Sequence, residues 1–182
     1  SINDFSIQPL LPFRPSRLGP GLSAGDVDGD GDLDLVLAAF GAANQLFLNA
    51  GPDSTYVGVS ASTISSDADN TVAVALADFD NDNRLDVAVA NSNQGDKAYL
   101  NDGVGDPFDM SAAVAISAQA INSTSIHAAD LDGDGLPDLV ISTDAKNYYY
   151  LNRGQDADDN WLGFADPVEL DDSTDNTTRI AT

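Results

Sequence analysis

The chain has 182 residues, 42% of them hydrophobic, which is enough for one folded domain and argues against general disorder. Thirty acidic residues stand against seven basic ones, and the net charge of −23 disfavours nucleic acid and anionic membranes while favouring solubility and cation binding. The lack of cysteine removes disulfides and thiol chemistry, and no apolar run approaches the roughly 18 residues of a membrane-spanning helix.

Residues 1–20 hold one candidate element, FSIQPLL from Phe5, which reads as an outer strand without its sheet, followed by a linker. A small-residue strand, LSAG, then leads into the oxygen-rich loop DVDGDGDLD at 26–34. The apolar strand LDLVLA and a third strand ending in a turn, QLFLNAG at 45–51, complete most of this unit, with YVGVSAS from Tyr56 as the candidate fourth strand. The same order returns as VAVALA, DFDNDNRLD at 78–86, LDVAVA, KAYLNDG at 97–103 and FDMSAAVAI from Phe108. It returns again as SIHAA, DLDGDGLPD at 130–138, PDLVIS, YYYLNRG at 148–154 and WLGFADPVEL from Trp161, with 158–160 as an insertion. Finally DNTTRIAT at 175–182 matches DNTVAVAL at 69–76, a further first strand. The expected divisions are 1–20, repeats at 21–70, 71–122 and 123–174, and an incomplete repeat at 175–182.

Each loop carries carboxylates at positions 1, 3, 5 and 9: Asp26, Asp28, Asp30 and Asp34; Asp78, Asp80, Asp82 and Asp86; Asp130, Asp132, Asp134 and Asp138. Alternate residues on a tightly curled loop can aim at one centre, and calcium accepts six to eight oxygens at roughly 2.3–2.6 Å. Position 6 is Gly31, Asn83 or Gly135, types that tolerate the positive φ of a sharp turn. Position 7 (Asp32, Arg84, Leu136) shares no side-chain chemistry and is expected to contribute a backbone carbonyl. Magnesium fits less well because it demands a near-ideal octahedron, and zinc would want Cys or His where the chain has only His127. An EF-hand needs a Glu at position 12 and flanking helices; here position 12 is Leu37, Val89 or Ile141, inside strand-like sequence. Weak sites of this kind suit an extracellular setting, where calcium is around millimolar.

The loops start 52 residues apart, and each period holds four short strands without helical periodicity. That predicts an all-β fold of propeller-type blades, each a four-stranded antiparallel sheet, three of them complete with an orphan strand at each end.

The three D-x-D-x-[DN]-x-x-x-D loops, the apolar strands after them, the LNxG turns and GDPF at 105–108 resemble the FG-GAP/VCBS family, the repeats of the integrin α-subunit propeller and of many bacterial surface proteins. The resemblance covers nearly the whole chain. It implies calcium in the loop between the first two strands of each blade, hence three sites with the twelve aspartates as ligands. Asn81, Asn83 and Arg84 depart from the family's glycines and single out the middle site as the weakest.

Three blades do not close a propeller, which takes about four to eight. The chain is expected to be a piece of a longer array; alternatively, protomers complete one another head to tail through unpaired strands. The expected function is a non-enzymatic, calcium-stabilised extracellular module for adhesion or protein or carbohydrate binding. Alternatives are a subunit of an extracellular filament or surface layer and, third, a propeller enzyme with His127 as its base. Expected partners are other protein chains, copies of itself, or carbohydrate stacked on Tyr148, Tyr149, Tyr150 and Trp161. Asn122 and Asn176 open N-glycosylation sequons.

Overall fold

A computed structural model describes residues 21–49, 61–108, 112–117 and 121–170. The orphan strands expected at Phe5 and at 175–182, and most of YVGVSAS, lie outside these residues. Twelve strands and no helix occur among the described residues. They pair in chain order as three antiparallel four-strand groups. The first is β1 (Leu22–Gly25), β2 (Asp34–Leu37), β3 (Gln45–Phe47) and β4 (Ser62–Thr63). The second is β5 (Thr71–Ala77), β6 (Asp86–Gln94), β7 (Lys97–Tyr99) and β8 (Val114–Ala115). The third is β9 (Ile121–Ala129), β10 (Asp138–Thr143), β11 (Tyr148–Tyr150) and β12 (Val168–Glu169). The fourth strands are only two residues long, shorter than the sequence expects, and β9 begins ahead of the expected division at 123.

Side chains alternate across a strand, and the long middle strand β6 uses both faces. Val87 and Val89 join Val27, Val36, Leu46, Ile64, Tyr99 and Phe108 in a core between the first and second groups. Ala88 and Ala90 turn the other way, into a second core with Phe79, Ile126, Leu139, Ile141 and Tyr150 between the second and third groups. A strand buried on both faces reads as a continuous apolar run, as LDVAVA does. The alanines leave room for Tyr150, and each fully buried Tyr or Phe contributes about 2–3 kcal/mol by removing apolar area from water. First strands of successive groups also touch, β1 with β5 and β5 with β9. At Gly21 the approach is so close that a Cβ would lie 2.6 Å from the Cα of Ala73.

The tail of β6 runs past its own group and pairs with the start of β9, Ser92 opposite Asn122 and Gln94 opposite Ile121, so the second and third groups form one eight-stranded ladder. A buried polar chain crosses the junctions at this end. Asn44, Asp96 and Asn147 occupy matching positions, and the Oδ1 of each accepts a backbone N–H, from Ala39, Asn91 and Thr143 respectively. Asn44 Nδ2 donates to Thr71 Oγ1 of the next group at 3.1 Å, and the matching Ser123 Oγ donates to Asp96 Oδ2 at 2.9 Å. Asp96 is fully buried, and burial pushes its carboxyl up to about 6 even though Asn91 N–H and the Ser123 and Ser117 hydroxyls support the charge. The folded state therefore holds this proton more tightly than the unfolded chain does. The stabilisation is complete below about pH 4 and disappears as pH rises through 6. Asp96→Asn, which installs the amide found at positions 44 and 147, is expected to stabilise the protein by roughly 1–3 kcal/mol at pH 7.5. That advantage should shrink towards pH 4.5, as read by denaturant melts of both proteins; a gap independent of pH would contradict it.

Candidate metal centres

Each oxygen-rich loop is the connection of a hairpin whose last paired residues are Gly25 and Asp34, Ala77 and Asp86, or Ala129 and Asp138. Position 9 therefore opens the second strand, is buried, and works as a hub. Its Oδ2 accepts the N–H of position 2 (Val27, Phe79, Leu131), and its Oδ1 accepts the N–H of Asn49, Asn101 or Asn152 from the LNxG turn. Position 1 curls the loop: Asp26 accepts from Gly29 and Gly31, Asp130 from Gly133 and Gly135, and Asp78 from Asp82 and Asn83. Position 6 has positive φ in all three copies, 94° at Gly31, 67° at Asn83 and 90° at Gly135, as the residue types predict.

One oxygen from each of positions 1, 3 and 9 lies within 4.8 Å of the others: Asp26, Asp28 and Asp34; Asp78, Asp80 and Asp86; Asp130, Asp132 and Asp138. Two oxygens on one calcium stand at most about 5 Å apart, so the spacing suits that ion. The position 5 aspartates, Asp30, Asp82 and Asp134, are not in these triads; each turns Oδ1 to the N–H of position 7, that is Asp32, Arg84 or Leu136. A carboxylate has about four lone-pair sites, so the backbone bonds leave acceptor capacity for a cation.

Burial, and then the crowding of like charges, raises several of these groups. Asp28 is pushed up by desolvation and by the charges of Asp34, Asp30 and Asp26. Asp80 is pushed up by burial, then by Asp82 and Asp78, with Arg84 opposing. Burial drives Asp86 to about 7 against its two N–H bonds. Asp80 Oδ1 is also buried without a hydrogen-bond partner. An all-oxygen donor set with an orphaned carboxylate oxygen fits a hard cation and does not fit zinc.

A further set of residues locks the loops and escapes a reading based on turn chemistry. Asn101 and Asn152 make the expected turn, accepting from Gly103 and Gly154, but their amides also reach into the preceding group. Asn101 Nδ2 donates to the carbonyl of Val27, and Asn152 Nδ2 to that of Phe79, both at 2.8 Å across more than 70 residues of sequence. The second residue of each of these loops is thus held by its N–H, its carbonyl and its buried side chain. The signal was present: an otherwise Asp-rich chain uses Asn at 49, 101 and 152, where a carboxylate could form the turn but could not donate.

His127 pairs with Val140 in register in β9 and is half-buried. Of the aromatics expected to stack on sugars, Tyr150 is buried, Tyr148 packs on the second core, and Trp161 stacks on Phe79 at 6.3 Å while its Nε1 donates to Asn152. Asn122 sits within β9, with Oδ1 bonded to Ser92 and Nδ2 to Asp144; Asn176 lies outside the described residues.

Fold and site together define an all-β repeat protein with Asp-rich hairpin loops suited to metal. The FG-GAP-like repeat family model matches residues 26–89 and 78–141, two overlapping windows that take in all three loops. They cover more than half of the sequence, and the chain belongs to this family. Such repeats often serve as extracellular binding modules and are typically non-enzymatic. No curated protein matches the sequence. No helix among the described residues is long and apolar enough to cross a membrane.

Proposed function

We propose that the chain is a non-enzymatic extracellular binding module whose four-strand groups are propeller blades, each stabilised by one calcium ion at its first hairpin. The observation that carries this reading is the carboxylate triad recurring at positions 1, 3 and 9 of three loops, reinforced by the orphaned Asp80 Oδ1. Positions 1, 3 and 9 would hold the ion, with positions 5 and 7 completing its shell. The ion supplies positive charge that offsets crowded carboxylates, and its binding free energy adds to folding stability. Contact between successive first strands supports a blade arrangement, because those strands lie nearest the axis of a propeller. Thermal unfolding in millimolar calcium, in magnesium and in EDTA tests the reading: equal melting temperatures in all three would contradict it.

For the partner, the geometry favours protein over carbohydrate, since the aromatics suited to sugar stacking are largely spent in the core. One observation favours self-association as a second reading. At position 2, Val27 is 2% and Phe79 0% exposed beneath the following group, whereas Leu131 is 46% exposed. A further unit of the same kind would cover Leu131 as the second and third groups cover its counterparts. Sedimentation as a monomer at every concentration would exclude this second reading.

A further inference from the structure

We propose that Arg84 is a built-in cation of the middle loop, which occupies the carboxylate of Asp82 and lowers that loop's calcium affinity below that of the other two. The inference rests on the calcium reading and concerns how the three loops differ.

Position 7 is Asp32 in the first loop and Leu136 in the third, so the arginine is particular to the second. Its side chain is held at three points. The Nη2 forms an ion pair with Asp82 Oδ2, and the Nε donates to the Asn101 carbonyl at 2.8 Å. Its Cδ packs so tightly over Gly103 that a Cβ there would come within 2.9 Å of it. The guanidinium is therefore a fixed charge, tied to the same turn that locks the first loop through Asn101 and Val27. Among the described residues, Asp30 and Asp134 have no basic partner.

Two consequences follow for the middle loop. The fifth-position carboxylate, which among the described residues has no basic partner in the first and third loops, is neutralised by the arginine in this one. The charge of the guanidinium also reaches Asp80 of the triad and repels an incoming divalent cation. A unit charge and a divalent ion about 6 Å apart repel each other, even at the dielectric constant of water, by enough to weaken binding about tenfold. The triad itself is intact, and Asp80 keeps its unpartnered buried oxygen, so binding is weakened rather than abolished. The arginine in turn screens these carboxylates when calcium is scarce, so the middle group is the least calcium-dependent of the three.

Isothermal titration of the full chain with calcium tests this. The wild type is expected to show two tighter events and one weaker, and Asp80→Asn should remove the weaker one, which assigns it to the middle loop. Arg84→Leu, which installs the residue of the third loop, should tighten that event about tenfold. Arg84→Gln, which keeps donors without charge, should do the same if the leucine variant folds poorly. Arg153→Leu, which removes a charge elsewhere on the third group, should leave it unchanged. A weak event that moves less than about twofold in both Arg84 variants overturns this inference alone. Titrations in which neither wild type nor variants bind calcium overturn the calcium reading and this inference together.

Discussion

Stripping calcium with EDTA is expected to lower the melting temperature by about 5–15 °C, and adding calcium back should restore it. Extracellular calcium modules bind with dissociation constants of about 10⁻⁴–10⁻³ M. At millimolar calcium, mass action then adds roughly 0.5–1.5 kcal/mol per site, or about 2–4 kcal/mol for three. In a chain of this size each kcal/mol moves the midpoint by about 2–4 °C. Carboxylates left without an ion repel one another, and burial has already driven Asp86 to about 7. A group raised in this way is stabilising below about pH 4 and loses that contribution as pH rises through 7. Part of the loss in EDTA should therefore be recovered between pH 7 and pH 5. Magnesium at equal concentration should restore little, because it dehydrates reluctantly and wants an octahedron.

The second large effect belongs to the turn amide that joins the second and third groups. Asn152→Ala is expected to destabilise the protein by about 3 kcal/mol, because it strands buried polar groups on both sides of a junction. The lost bonds run from Nδ2 to the carbonyls of Phe79 and Pro137, and to Oδ1 from the Gly154 N–H and Trp161 Nε1. Asn152→Asp separates the two roles. A carboxylate still accepts from Gly154 and Trp161 but cannot donate to Phe79, so it should cost about 2 kcal/mol or more. Denaturant melts that place Asn152→Asp within about 0.5 kcal/mol of wild type would reduce this residue to a turn former.

Much of the architecture could be read from residues alone, and the reasons are local. Asp-rich hairpins with positive-φ residues at position 6, apolar runs such as LDVAVA, and LNxG turns each specify their own geometry within a few residues. The long-range devices were not legible in the same way. The amides of Asn101 and Asn152 act on carbonyls more than 70 residues away, and β6 reaches across to β9 through polar residues without strand-like character. Asp96 looks like one more surface acid in a chain full of them, yet it fills a buried junction where its counterparts are amides. The fourth strands are only two residues long and lie at sheet edges, where a strand has a partner on one side only. At the candidate sites, spacing alone treats four carboxylates as equal. The backbone sorts them, bringing positions 1, 3 and 9 together and turning position 5 towards its own loop.

Anomalous diffraction from crystals grown in millimolar calcium tests the central claim most directly. Three peaks are expected, one per loop, each roughly 2.3–2.6 Å from oxygens of positions 1, 3 and 9. Peaks at none of the three loops would contradict a fold built around bound calcium.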